Sequence, residues 1–385
     1  MGRMAIRREV SPLELFYDLV FVFAVSQLSH HLVEHLSWRG AAQTLVLLIA
    51  VCGTWAYTTF EATLLDIRRS STRWSVVVAM GLGLFMNAAI ARAFEDSAWL
   101  FVVPLLLILL ILIVVSLIRA PDPVMRGHSQ RVLVWMAVYI PLWLVGAAAD
   151  PGARLWWWGA AALIDMTGTW LGHPVPGHVL RSANIAFDAG HMLERMRLFI
   201  IILLGETVLT VGGAISDVHV DVATIVASVG VFVALVCLWA AYFGGGEDVV
   251  HSYVTTTSDP IRAARWGINV TYGVLAGLVA VAVGSELVIA HPLGHGSATL
   301  ALLLFGGTIL YLTFQAWFYR VTTHRAWGQR IAACFACAAA GVAALWLPPL
   351  ASVALLDAIL ITLVLVLTRV HQRLAGELRP AAEAS

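Results

Sequence analysis

Apolar residues in this chain come in blocks of about 17 to 25, not at the i, i+3, i+4 spacing of a water-facing helix, and this constrains the fold more than anything else. The blocks run at 13–35, 41–62, 75–94, 98–118, 131–149, 155–171, 195–214, 222–243, 266–290, 298–318, 330–347 and 350–368. Each is long enough to cross a bilayer as a helix, the one open-ended structure that satisfies its own backbone in hydrocarbon. Composition agrees, because 12% of residues are charged where a soluble domain has about 25%. The expected fold is all-α, a polytopic integral membrane protein of about twelve transmembrane helices with the lipid bilayer as its partner.

Arginine sets the orientation. The sequence has no lysine, and its 23 basic residues are all arginine. All but Arg39, Arg92 and Arg154 fall on the side that holds the N-terminus and alternate inter-span segments. The opposite side carries acidic Glu95, Asp96, Asp150, Asp217 and Asp221. By the positive-inside rule both termini are expected in the cytoplasm of a bacterial inner membrane, which requires an even number of spans. The first block lacks a convincing cleavage site and reads as a helix, not a signal peptide. A formal net charge of zero argues against nucleic acid as a partner. No cofactor-binding motif is present, and nothing in the sequence sets an oligomeric state. Cys52, Cys237, Cys334 and Cys337 all lie inside blocks, where thiols pack as small apolar groups.

The chain also repeats itself. LELFYDLVFVFAVSQL from Leu13 aligns with LERMRLFIIILLGETVL from Leu193. Cys52 and Trp55 are echoed by Cys237 and Trp239, and Arg73-Trp74 by Arg265-Trp266. Two six-helix halves are therefore expected, 1–175 and 176–385. Six is even, so the halves share one orientation, as parallel pseudo-repeats about an axis along the membrane normal. His173 and His178 flank two prolines where the halves join and read as part of a rigid linker.

The first block carries charge. Glu14 and Asp18 stand one turn apart on one helix face, which Val25 and Ser29 continue, with Gln27 further along. The seventh block opens with His191, Glu194, Arg195 and Arg197 at a matching depth. Carboxylate–guanidinium pairs between these two helices are expected. Glu206 lies eleven residues beyond Arg195, roughly 16 Å deeper at about 1.5 Å per residue. An acid near the midplane must face a polar interior or carry a proton, which makes Glu206 the leading proton-binding or substrate-binding candidate. Neighbouring Gly205, lacking a side chain, is expected to admit a close neighbour.

ELFYDLVFVFAVSQLSHHL from Glu14 and HMLERMRLFIIILLGETVL from His191 together resemble the bacterial low temperature requirement A family, over nearly the whole chain. The resemblance implies a multi-spanning inner-membrane protein named for growth in the cold, and brings with it no reaction or substrate. In one departure, this sequence has Asn269, Thr271 and Tyr272 where the family pattern often has a histidine early in the ninth span. No proton relay can be assigned to such a histidine here.

HHLVEH at the end of the first block places His31, Glu34 and His35 at the H-x-x-E-H spacing of some zinc peptidases. It sits where a helix turns polar at the outer interface, without hydrolase architecture, so a metal site is not expected. WWWG from Trp156 reads as an interfacial aromatic belt, and GGGEDVVHSY from Gly244 as a loop. Two function classes remain. A secondary transporter, proton-coupled through a buried acid and handling a small molecule, fits two parallel halves without a nucleotide-binding domain. The alternative is a membrane-embedded enzyme acting on a lipid or isoprenoid, but the clustered aspartates that hold magnesium for such phosphate chemistry are missing.

Overall fold

The computed structural model describes residues 10–65, 69–119, 123–176, 187–217, 221–244, 253, 257 and 259–383. Most of the Gly244–Tyr253 loop and most of the expected joint between halves, His178 included, lie outside them. The described residues form twelve helices and no strand: α1 (Pro12–Glu34), α2 (Trp38–Leu65), α3 (Ser70–Ala88), α4 (Ala98–Arg119), α5 (Pro123–Ala148), α6 (Pro151–Leu171), α7 (Ala189–Asp217), α8 (Val222–Phe243), α9 (Pro260–Ala290), α10 (Ala298–Thr322, with a π turn at Leu302–Gly306), α11 (Trp327–Ala343) and α12 (Pro349–Glu383). Nine of them are long and apolar enough to cross a membrane.

The other three are α3, α6 and α11, on which the expected spans at 75–94, 155–171 and 330–347 fall. Each has a physical reason to fall short. α3 opens on polar Ser70, Ser71, Thr72 and Arg73 and stops at Ala88, before a 3-10 turn at Ile90–Arg92. α6 carries Arg154 and Asp165, and α11 has 17 residues, about 26 Å at 1.5 Å each. Elsewhere the helices outrun the apolar blocks: α5 starts at Pro123 and α12 ends at Glu383. A turn that leaves hydrocarbon keeps its backbone hydrogen bonds and need not unwind.

The chain divides into two compact units, residues 1–202 with 257–272, and 203–256 with 273–385. In the first unit α2 is central and packs on α1, α3, α4 and α6, while α4 packs on α5 and α5 on α6. Its small residues, among them Ala50, Cys52, Gly53 and Ala56, let four neighbours approach one rod. In the second unit α8 packs on α12, α12 on α11 and α11 on α10. There α9 and α10 cross at two glycines: a Cβ added to Gly277 would stand 2.7 Å from the Gly307 carbonyl oxygen, the small-residue contact of membrane helices.

Large apolar side chains point outward in both units, with Phe85 59%, Ile118 67% and Phe335 74% exposed. Such faces suit lipid and not water. One aromatic expectation changes: Trp156 and Trp157 are exposed, but Trp158 is fully buried against Phe94, Phe101 and Trp143 and donates to the Trp143 carbonyl at 3.1 Å. Three consecutive helical residues point about 100° apart, so one of them must turn inward.

Candidate functional site

The charged opening of α1 is built by its own cap. Ser11 accepts from the Glu14 backbone N–H at 3.3 Å, and Glu14 Oε2 accepts from the Ser11 N–H at 2.8 Å. This reciprocal capping box, with Pro12 at the first turn, fixes the Glu14 rotamer. Its other oxygen, Oε1, meets His191 Nε2 at 2.9 Å. One turn along α7, Arg195 donates to Asp18 Oδ1 at 2.6 Å and lies 3.9 Å from Glu14 Oε1. The Trp55 indole N–H donates to the same Asp18 oxygen at 2.8 Å, while its ring stacks on Phe199 at 4.2 Å.

The expected pairing is therefore present, with Arg195 as the cation. The cluster joins α1, α2 and α7 inside the first unit. Glu14, Asp18 and Arg195 are each at most 1% exposed, so the cluster ties the three helices together through buried charge. Trp55→Phe should keep the ring stack and remove one bond to a charged acceptor. We expect a loss of about 1.5–3 kcal/mol, read from unfolding of the detergent-solubilised chain; an unchanged midpoint would show that Asp18 does not need the indole.

The other expected residues are dispersed. Arg197 reaches Glu194 at 3.4 Å, an i, i+3 pair on a partly exposed face. Gln27 is half-buried on α1. Glu206 belongs to the second unit, half-buried on α7, with Leu209 one turn away 70% exposed. Gly205 is exposed and a Cβ there would meet nothing within 4 Å, so, against expectation, no helix approaches this glycine closely among the described residues. At the end of α1, the His31 and His35 rings stack at 4.6 Å, with their Nδ1 atoms on the Ala91 and His31 carbonyls at 3.2 and 3.0 Å. Glu34 is exposed. Each ring has one nitrogen on a backbone carbonyl, and no group of three possible ligands capable of holding a metal is found among the described residues.

A cavity of about 80 Å³ lies elsewhere in the first unit, between α2, α4, α5, α6 and the start of α9. At about 15 Å³ per water it has room for roughly five. Its polar lining is Tyr57, His128, Tyr139, Asp165, Thr169, His173 and Arg265. Gly53 makes part of this space, since a Cβ there would sit 2.9 Å from Asp165 Oδ2 and 3.1 Å from the Tyr272 hydroxyl. That hydroxyl and the Tyr57 hydroxyl are buried with no partner in hydrogen-bond geometry among the described residues. One turn from Tyr57 lies Glu61, fully buried, with Tyr57 and Ser116 beside it and neither carboxyl oxygen in hydrogen-bond geometry with any described residue.

The far end of the cavity is shaped by the end of α6. Gly172 holds φ 77° and His173 φ 53°, both in the left-handed region that costs a non-glycine residue on the order of 1–2 kcal/mol. The turn is held by the His173 N–H donating to the Gly168 carbonyl at 2.7 Å, and by the Trp135 indole donating to the Pro174 carbonyl at 3.0 Å. Burial, with His128, Arg131 and Arg265 close by, pushes the His173 pKa down to about 3. The His173 ring is thus neutral at neutral pH.

Of the polar groups in and around the cavity, sequence pattern points only to His173, Tyr272 and Arg265, and to those as a linker residue, a departure from a family pattern and part of a repeat. Asp165 and Glu61 escape it, although a lone acid inside an apolar helix is itself a signal.

Helices with lipid-facing outer surfaces, a buried ionic strut and an internal polar cavity define a polytopic α-helical membrane protein. A family model described as bacterial low temperature requirement A protein (LtrA) matches residues 9–365, and the chain belongs to that family. It is also 31% identical over 318 residues to an uncharacterized protein of Rhizobium meliloti (strain 1021), covering 80% of this chain and 77% of the relative.

Proposed function

We propose that the protein is a proton-coupled secondary transporter of a small molecule, with the cavity of the first unit as its substrate site and Asp165 as the proton-binding group. The observation that carries this reading is the cavity itself. Inside helices that face lipid, a polar space bounded by an acid and by tyrosine hydroxyls that find no partner in hydrogen-bond geometry among the described residues has a cost in stability that packing alone does not require. The absence of clustered aspartates leaves the lipid-processing enzyme without a metal-binding constellation, and about 80 Å³ is small for an isoprenoid chain.

In this reading all twelve helices cross the inner membrane, α3, α6 and α11 included, and both termini are cytoplasmic. Support for two parallel halves, 1–175 and 176–385, comes from the packing. α2 packs on α6 as α8 packs on α12. Asp165 of α6 faces Gly53 of α2, and Asp357 of α12 lies 3.4 Å from where a Gly230 Cβ would stand on α8. Single-cysteine labelling in a cysteine-free background should place both tails inside; an externally labelled C-terminal tail would make the span count odd and remove the two-halves reading.

The function is tested in proteoliposomes that enclose a pH-sensitive dye. Adding a panel of small solutes outside should drive proton movement above that of protein-free vesicles for at least one of them. If no solute in the panel drives protons, and none exchanges across the membrane in radiolabelled form, the transporter reading fails. Glu206 is kept as a second proton-binding candidate, and Glu206→Gln in the same assay ranks it against Asp165.

A further inference from the structure

The cavity has two chemically different ends. Asp165, Tyr139 and Tyr272 lie near Gly53 at one of them. At the other, Arg265 of α9, His128 of α5 and His173 after α6 line the space. Arg131 stands behind His128, its Nη2 at 3.2 Å from His128 Nδ1 and its buried Nε without a hydrogen bond among the described residues. Arg265 reaches this end because Gly172 has no side chain: an added Cβ would collide with its Nη1.

One guanidinium therefore lines this end of the cavity and a second stands behind its His128 wall, and no carboxylate forms an ion pair with either among the described residues. Asp259 is the acid whose field reaches Arg265. The neutral His173 contributes hydrogen-bonding capacity and no charge. A cationic, partly dehydrated pocket wall of this kind favours an anion, and a guanidinium presents paired donors that match an oxyanion's two oxygens.

We infer that this end of the cavity binds a small oxyanion, a phosphate or a carboxylate, through the Arg265 guanidinium with Arg131 behind it. The inference rests on the transporter reading for its meaning, since it names the class of solute. In the proposed topology Arg131 and Arg265 lie on the arginine-rich, cytoplasmic side, so the anion meets that end from the cell interior. A lipid phosphate headgroup offers the same chemistry from another source, but the cavity's volume and its place between five helices favour a free ion.

The test is binding to the full chain, in detergent and in phosphatidylcholine nanodiscs, with sodium phosphate and sodium acetate as probes against sodium chloride at equal ionic strength. One of the two oxyanions should raise the unfolding midpoint saturably. Arg265→Lys, which keeps the charge and loses the fork, should weaken the apparent affinity about tenfold, and Arg265→Gln should abolish the response. If Arg265→Gln does not fold, the comparison of wild type with Arg265→Lys by calorimetry still decides. No saturable response to either probe, or equal responses in wild type and variants, overturns the inference. So does protection by nanodiscs containing phosphatidylglycerol without any response to phosphate or acetate, since that marks a headgroup site. Arg265-dependent anion binding, with no solute driving protons and none exchanging across the membrane, keeps this inference and removes the transporter. Solute-driven flux that Arg265→Gln leaves unchanged does the reverse.

Discussion

Arg195→Gln should cost about 3–5 kcal/mol of stability, the range for breaking a buried ion pair from one side. The reason is what stays behind. Asp18 would keep the Trp55 indole as its hydrogen-bond donor, and its second oxygen already lacks a partner among the described residues. Glu14 would keep His191 and the Ser11 cap but lose the guanidinium 3.9 Å away. Both acids are essentially inaccessible to solvent, so water cannot replace the lost cation. The coupling between partners is the decisive quantity. Asp18→Asn in the Arg195→Gln background should cost much less than Asp18→Asn alone, with an interaction energy on the order of 1–3 kcal/mol. Glu194→Gln, in a partly exposed i, i+3 pair with Arg197, should lose only about 0.3–0.5 kcal/mol. Additive losses for Arg195 and Asp18 in reversible detergent unfolding would mean that the 2.6 Å contact does not carry the link between α1 and α7.

Helical periodicity alone makes that contact legible in the sequence. Glu14 and Asp18 share a face because they are one turn apart, and His191 and Arg195 share one for the same reason. Two helices that enter the membrane from the same side bring matching turns to matching depth, and the cost of a lone charge in lipid then pairs them. Span positions are legible on the same footing, since apolar length is a one-dimensional property. Where α3, α6 and α11 fall short, charge or brevity interrupts that length, and a count of crossings then depends on packing that hydropathy does not encode.

The cavity is not legible in this way. Asp165 is one acid in an apolar helix, with no motif around it, and so is Glu206. Depth along a helix can be counted from sequence, but the direction a side chain faces in the bundle cannot. For Asp165 that direction is set by Gly53, more than a hundred residues earlier, whose missing side chain opens the space the carboxyl enters. The basic end has the same origin: Arg265 occupies the space above Gly172, and only the left-handed turn at the end of α6 brings the two together. Neither glycine differs in sequence context from the many that merely pack helices.

Asp165→Asn should then separate transport from its coupling. Asparagine keeps the shape of the side chain beside Gly53 but cannot bind and release a proton. We expect proton-driven solute accumulation to fall on the order of a hundredfold, the scale of losing a positioned proton-transfer group. Exchange of labelled for unlabelled solute, which needs no net proton movement, should continue, and the variant should insert and unfold like the wild type. Gly53→Ala is the companion change. Its methyl would stand 2.9 Å from Asp165 Oδ2 and 3.1 Å from the Tyr272 hydroxyl, so the carboxyl must shift by a few tenths of an ångström, and accumulation and exchange should fall together. The contrast between the two variants is the test, because a purely structural aspartate would lose both activities in each. Normal accumulation by Asp165→Asn would remove this residue from the coupling mechanism. Selective loss of accumulation in Glu206→Gln instead would move the proton site to α7 in the second unit.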